Sequence, residues 1–215
     1  MSALAPKSGL ALLAAFLLGA MPWGLWLGKL VRGVDVREHG SGNLGATNVY
    51  RTLGPGLGWT VFLLDAGKGA GAVLLARAIT ADAFPGNATG AGLAGALAAV
   101  LGHAFTPFAG WKGGKGSATA AGAMVAVAPV GSILCLVCFL VAVLWTKRIS
   151  VGSIAAALTL PIFLWALPLA WAGRGAAIVG TLVSLLILLR HVPNMRRLAA
   201  GTEPTFSLRR PRGTS

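Results

Sequence analysis

The sequence predicts an all-α integral membrane protein with seven transmembrane helices, two of them short, and glycine-rich cytoplasmic loops that form its site. Three observations lead there. Hydrophobic residues fill 56% of the 215 positions and charged residues 11%, and the mean hydropathy is +0.78; so apolar a chain cannot fold around an ordinary soluble core. The apolar residues form runs of bilayer-spanning length. Three polar, glycine-rich islands, at 39–51, 111–117 and 190–197, interrupt those runs. One membrane-embedded domain over 1–215 is expected, with an arginine-rich cytoplasmic tail at about 205–215.

The first run, 9 to about 30, follows Lys7 and contains small residues, as a signal peptide would. It exceeds the ~20 residues of a spanning helix and has no A-x-A site before the charged segment 29–38, so it reads as one uncleaved helix. Further runs cover 56–79, 90–108, 117–145, 151–171 and 176–189. Cys135 and Cys138 form a C-x-x-C inside an apolar run, where they read as packing thiols.

Charge on the connections sets the topology. Lys29, Arg32, Arg37, Arg51, Lys112, Lys115, Lys147, Arg148, Arg190, Arg196, Arg197, Arg209, Arg210 and Arg212, 14 of the 18 basic residues, belong on the inner side. The 80–89 connection, with Asp82 alone, and the 172–175 turn, with Arg174 alone, belong outside. The run 117–145 would then begin and end inside. At 1.5 Å per residue it is roughly 43 Å long, too long for one crossing of a ~30 Å core, and Pro129 and Gly131 interrupt it. Two short helices are expected there, which gives seven crossings, with the N-terminus outside and the C-terminus inside. The net charge of +13 orients the chain and favours anionic membrane lipid. No basic face interleaved with aromatics points to nucleic acid.

This topology gathers the islands, with 149–153, on the cytoplasmic face. Gly40, Gly42 and Gly45 permit tight positive-φ turns whose N–H groups can converge on an anion. Ser41, Asn43, Thr47 and Asn48 add neutral hydrogen-bonding groups, and Arg51 a fork suited to phosphate. In the second island Gly114-Lys115 resembles a Walker A fragment, but Gly116 stands where Ser or Thr is required and Ala109 replaces the first glycine. What remains is Lys115 at a helix start, where phosphate is favoured; Lys112 reads as topological charge alone. Asp65 and Lys68, at i and i+3, can pair on one helix face, in a structural role or a site. His103 reads as a packing histidine and His39 as a surface residue. His191 stands apart, with Asn194 three residues on, beside arginines.

No His-x-x-x-x-Asp dyad exists, because Leu44, Phe108 and Arg196 occupy the Asp position after the three histidines. The five acids, Asp35, Glu38, Asp65, Asp82 and Glu203, indicate no Ser-His-Asp geometry and no metal cluster. An acyltransferase built from this sequence needs a donor already activated.

Segments 40–51 and 113–119, with His191-x-x-Asn194-x-x-Arg197-Leu198-x-x-Gly201-x-Glu203, resemble the three signature motifs of the bacterial acyl-phosphate:glycerol-3-phosphate acyltransferases. The likeness spans essentially the whole chain, including Asp65-x-x-Lys68-Gly69 and the 150–153 turn; Leu44 replaces the family's usual proline. It implies an inner-membrane enzyme that moves a fatty acyl group from acyl phosphate to the 1-hydroxyl of glycerol 3-phosphate without a cofactor or metal. By that likeness Ser41, Arg51, Lys115, His191 and Asn194 are catalytic, and Gly42, Asn43, Thr47, Asn48, Arg51, Lys115, Ser150, Ser153, His191 and Asn194 bind the substrates. Implied partners are glycerol 3-phosphate, acyl phosphate, membrane lipid and the soluble enzyme that makes the donor. The competing class is a transporter of a phosphorylated solute or lipid, but no internal repeat supports it.

Overall fold

The computed structural model describes residues 4–81, 88–167 and 173–206, and every regular element among them is helical. The Asp82 connection, the stretch 168–172 that ends the expected fifth run, and the arginine-rich tail from 207 lie outside the described residues.

The expected single first helix is two: α1 (Leu4–Ala20) and α2 (Trp23–Arg32), bent by 42°. Pro22 causes the break, because it lacks an N–H and its ring clashes with the preceding turn. The carbonyls left at the break find other donors. Thr106 Oγ1 donates to Ala20 O at 2.5 Å and Lys68 Nζ to Met21 O at 2.6 Å. Lys68 also pairs with Asp65 at 2.8 Å, so these two charges hold the bend together.

The chain then forms a 3-10 turn (Val36–Glu38), α3 (Ala46–Leu53), α4 (Pro55–Thr80), α5 (Ala88–Ala104), a second 3-10 turn (Pro107–Ala109) and α6 (Ser117–Val127). After these come α7 (Pro129–Thr146), α8 (Ile149–Ala166), α9 (Gly173–Arg190) and α10 (Val192–Ala199). The break expected in run 117–145 occurs at Ala128, just ahead of Pro129. It divides the run unequally: α6 has 11 residues and α7 has 18, longer than expected of a short helix. Helix α8 stops at Ala166, short of the expected 171; Leu167 is extended, as a residue before proline tends to be. Arg174, expected in a turn, lies in the first turn of α9.

Helices α4, α5 with its 3-10 extension, α7, α8 and α9 are each long and apolar enough to cross a membrane, and the bent α1–α2 pair meets the same test as a unit. Exposed Leu63, Leu144, Trp145 and Leu189 give the bundle an apolar exterior. In lipid, helices associate through close packing of small residues rather than by the hydrophobic effect. The α4–α6 contact shows this: Gly69 abuts Thr119 O, and Gly122 abuts Ala66 O, so closely that a Cβ at either would overlap the carbonyl. A core of Leu93, Met124, Leu160, Leu164 and Ala177 joins α5, α6, α8 and α9. A separate cluster, Leu25, Val36, Leu44, Val49, Val61 and Ala109, seats the first polar island on α2 and α4.

Candidate functional site

The first island is a loop wound around one amide. Asn48, 2% exposed at the start of α3, accepts from Ser41 N (2.8 Å) and Ser41 Oγ (3.2 Å) and donates to Val36 O (2.9 Å) and His39 O (3.1 Å). All its hydrogen-bonding capacity is used. Gly40 and Gly42, at φ 60° and 67°, make the turn; Gly45, expected to share it, is instead extended at φ −79° as it leads into α3, its N–H donating to Asn43 Oδ1 at 2.9 Å. On the outer side Asp35 pairs with Arg37 (2.7 Å) and Lys29 (3.1 Å), and the Arg37 hydrogen bonds hold its carboxyl well below the usual range. Helix α3 carries Arg51 inward. Its Nη2 donates to Pro204 O at 3.2 Å, while the buried Nε has no partner.

The second island is gripped by its backbone. Gly113 N and Gly114 N donate to Ala104 O and His103 O, and Arg190 donates to Gly113 O (2.6 Å) and Gly114 O (3.0 Å). Gly116, at φ 86°, turns the chain into α6. Because two of the loop's N–H groups are committed to α5, an anion here would meet Lys115 and the first turn of α6. Burial lowers the Lys115 pKa to about 8, with Arg197, Arg51 and Arg190 adding repulsion and Glu203 opposing them. Lys112 is exposed, as its reading as topological charge requires.

The third island closes the site. His191 Nδ1 lies 2.8 Å from Ile187 O, which can only accept, so Nδ1 carries the proton and Nε2 is left as an acceptor. Burial, with Lys115 nearby, lowers the His191 pKa to about 4, which makes the ring neutral at pH 7. Asn194, 3% exposed, donates through Nδ2 to Glu203 Oε1 at 2.7 Å, and its Oδ1 is buried without a partner. Arg197 Nε donates to Glu203 Oε2 at 2.7 Å. Burial would raise the Glu203 pKa, but the neighbouring Ser150 hydroxyl, Asn194 and Arg197 outweigh it and hold the carboxylate low. Ser150 Oγ itself meets no partner in good hydrogen-bond geometry.

Glu203 sits on a strap, 201–206, that folds back over the helix ends. Arg148 Nε donates to Glu203 O at 3.2 Å, Phe206 N to Lys147 O, and the Phe206 ring lies 4.9 Å from Tyr50. Thus Arg51, Lys115, Ser150, His191 and Asn194, five of the residues expected from sequence, gather with Arg190, Arg197 and Glu203. Ser41, Asn43 and Thr47 make no hydrogen bond to the second or third island among the described residues. Asn48 braces the first loop, and Ser153 lies buried a turn further along α8. Glu203, Arg197 and Arg190 were not among the expected site residues. An acid standing in so cationic a segment was the available signal for Glu203.

Several cations around one carboxylate suit a phosphate monoester. The neutral Nε2 of His191 and the Oδ1 of Asn194 suit a hydroxyl donor beside it.

The pattern of the family described as glycerol-3-phosphate acyltransferase matches residues 9–201. Proteins of that description share 40% identity with this chain in Thermosynechococcus vestitus (91% of this chain, 93% of the relative). A Synechococcus relative shares 44% (92% and 94%), and one from Geobacter sulfurreducens 42% (89% and 94%). The fold is similar to crystal structures of PlsY, an integral membrane glycerol 3-phosphate acyltransferase. Its glycerol 3-phosphate form gives a TM-score of 0.82 at 36% identity (93% and 96% covered), and its lysophosphatidic acid form 0.80 at 36% (93% and 95%).

Proposed function

Because the chain belongs to the glycerol-3-phosphate acyltransferase family of integral membrane proteins, we propose that it transfers a fatty acyl group from acyl phosphate to the 1-hydroxyl of glycerol 3-phosphate. The products are 1-acyl-glycerol 3-phosphate (lysophosphatidic acid) and inorganic phosphate. The carrying observation is the meeting of Arg51, Lys115, His191 and Asn194 around Glu203, with cations in excess and acceptor atoms unfilled.

In this reading Arg51 and Lys115 clamp phosphate, while His191 and Asn194 orient the glycerol. Glu203 fixes the Asn194 amide so that Oδ1 accepts from a glycerol hydroxyl. The 1-hydroxyl oxygen attacks the acyl carbonyl carbon and forms the ester C–O bond. The bond from that carbon to the phosphate oxygen breaks, and phosphate leaves with the electron pair. The hydroxyl proton passes to an oxygen of the glycerol 3-phosphate phosphate group. A mixed anhydride has a good leaving group, so orientation and charge neutralisation supply the catalysis. Neutral His191, with Nδ1 bound to a carbonyl, orients rather than abstracts.

The α1–α2 pair, α4, α5, α6, α7, α8 and α9 make seven crossings, with the N-terminus outside and the site on the cytoplasmic face of the inner membrane. Helix α6, about 16 Å long at 1.5 Å per residue, is the shortest of these crossings, and the Ala128 break that follows it is 1% exposed. The acyl chain lies between helices, open to lipid. The soluble enzyme that makes acyl phosphate is a partner in this reading.

The test is release of the donor's leaving group by the purified protein in lipid with glycerol 3-phosphate: phosphate from palmitoyl phosphate, or the CoA thiol from palmitoyl-CoA. Turnover with palmitoyl phosphate alone is expected. Turnover with palmitoyl-CoA alone overturns the donor assignment, and movement of labelled glycerol 3-phosphate across vesicles without turnover overturns the enzyme.

A further inference from the structure

Asp65, Lys68 and His103 lie one layer beneath the phosphate-handling loops, and the reaction described above uses none of them. Besides its pairing with Lys68, Asp65 Oδ1 lies 3.7 Å from His103 Nδ1, and that nitrogen pairs with Thr119 Oγ1 at 3.0 Å. All four side chains are at most 7% exposed.

Each end of this chain of contacts touches a functional loop. At one end Lys68 holds Met21 O at the α1–α2 break. Met21 and Leu44 of the first island line, with Asp65, His103 and Gly114, a cavity of about 10 Å³, room for no more than one water. At the other end His103 O accepts from Gly114 N at 3.0 Å, and the imidazole packs so tightly on Gly114 that a Cβ there would overlap Nε2. Lys115 is the next residue. Thr119 lies in the first turn of the helix that Lys115 precedes. One buried network therefore sets the first island, the second island and the start of α6 against each other.

We propose that Asp65, Lys68 and His103 are positioning residues that fix the Lys115 loop relative to the first island, so that the ammonium meets the departing phosphate in one geometry. The proposal rests on the reading of Lys115 as a phosphate ligand. A purely structural ion pair makes a different forecast. Removing one buried partner leaves an uncompensated charge, whereas removing both is tolerated, so a structural role returns activity together with stability.

The experiment compares Lys68→Met, Lys68→Arg and the double variant Asp65→Asn/Lys68→Met in lipid nanodiscs, measuring thermal unfolding, kcat and the KM for glycerol 3-phosphate. The double variant regains thermal stability lost in Lys68→Met, yet its kcat stays about tenfold or more below wild type with KM within about twofold, the pattern of a misplaced catalytic group. Lys68→Arg, still able to donate to Met21 O, keeps kcat within about threefold. Recovery of kcat along with stability in the double variant overturns the proposal. His103→Ala and His103→Gln give a reading free of charge removal. The glutamine can still bond Thr119, so it restores most of the kcat that alanine loses; wild-type kcat in His103→Ala overturns the proposal. If the wild type accepts only palmitoyl-CoA, the donor assignment fails, and the same comparisons run with that donor still decide the positioning role.

Discussion

Two groups of charges share this bundle, and they are arranged in opposite ways. Within α4, Asp65 and Lys68 match each other at 2.8 Å, and Lys68 also donates to a backbone carbonyl. At the loops, Arg51, Lys115 and Arg197 share the single carboxylate of Glu203, and Arg51 Nε and Asn194 Oδ1 stay buried without partners. A buried charge or polar atom costs free energy unless it is paired. The matched group balances its charge within the chain, whereas the loop group holds cations in excess, as a site for an anion would. Stoichiometry of charge, more than the presence of charge, separates scaffold from site.

Substitution at the unmatched group gives the largest effect. Arg51→Ala and Lys115→Ala each lower kcat by about 10²–10³ in the phosphate-release assay, the usual loss for a group that stabilises transition-state charge. Near-full turnover in either variant would remove that residue from the site. The matched group fails differently: Asp65→Ala or Lys68→Met alone destabilises the fold by about 3–5 kcal/mol, read as a lower unfolding midpoint in detergent. A midpoint equal to wild type would mean that the pair is not holding the bend.

A pH profile sharpens the contrast further. Lys115, held at about 8 chiefly by burial, is charged below that pH and neutral above it. If its charge is what phosphate needs, kcat/KM is full at pH 7 and declines as pH rises through about 8. Glu203 holds that value up, so Glu203→Gln shifts the alkaline limb to lower pH; an unmoved limb would separate Glu203 from Lys115. The smallest effect belongs to the exposed pair at the outer edge of the first island. Arg37→Ala leaves turnover unchanged and alters stability by less than about 1 kcal/mol.

Local chemistry explains why some of this was legible in the sequence. The break ahead of Pro129 and the separation of Lys115 from Lys112 follow from proline geometry and charge placement, while the meeting of Arg51 with His191 and Asn194 is what the family likeness implies. Pro22 carried the same signal as Pro129. Its effect is hidden because 9–30 has the length of one span and no cleavage site. Other features depend on contacts distant in sequence. Asn48 reads as a substrate ligand until Val36 O and His39 O are seen to occupy its amide. Arg190 reads as topological charge until it is found clamping Gly113 and Gly114, more than seventy residues earlier. Glu203 acquires meaning only because the strap returns across α3 and α8.

The reciprocal glycine contact between α4 and α6 bears on how this protein can evolve. Gly69 and Gly122 each face a carbonyl of the opposite helix with no room for one methyl group, so neither can drift even to alanine while its neighbour stays in place. A larger residue at one position would require a shift of the whole helix, and α6 cannot shift without carrying Thr119 and the Lys115 loop with it. Mutational change in this layer is therefore constrained through its effect on the Lys115 loop, although neither glycine has a side chain to offer a ligand.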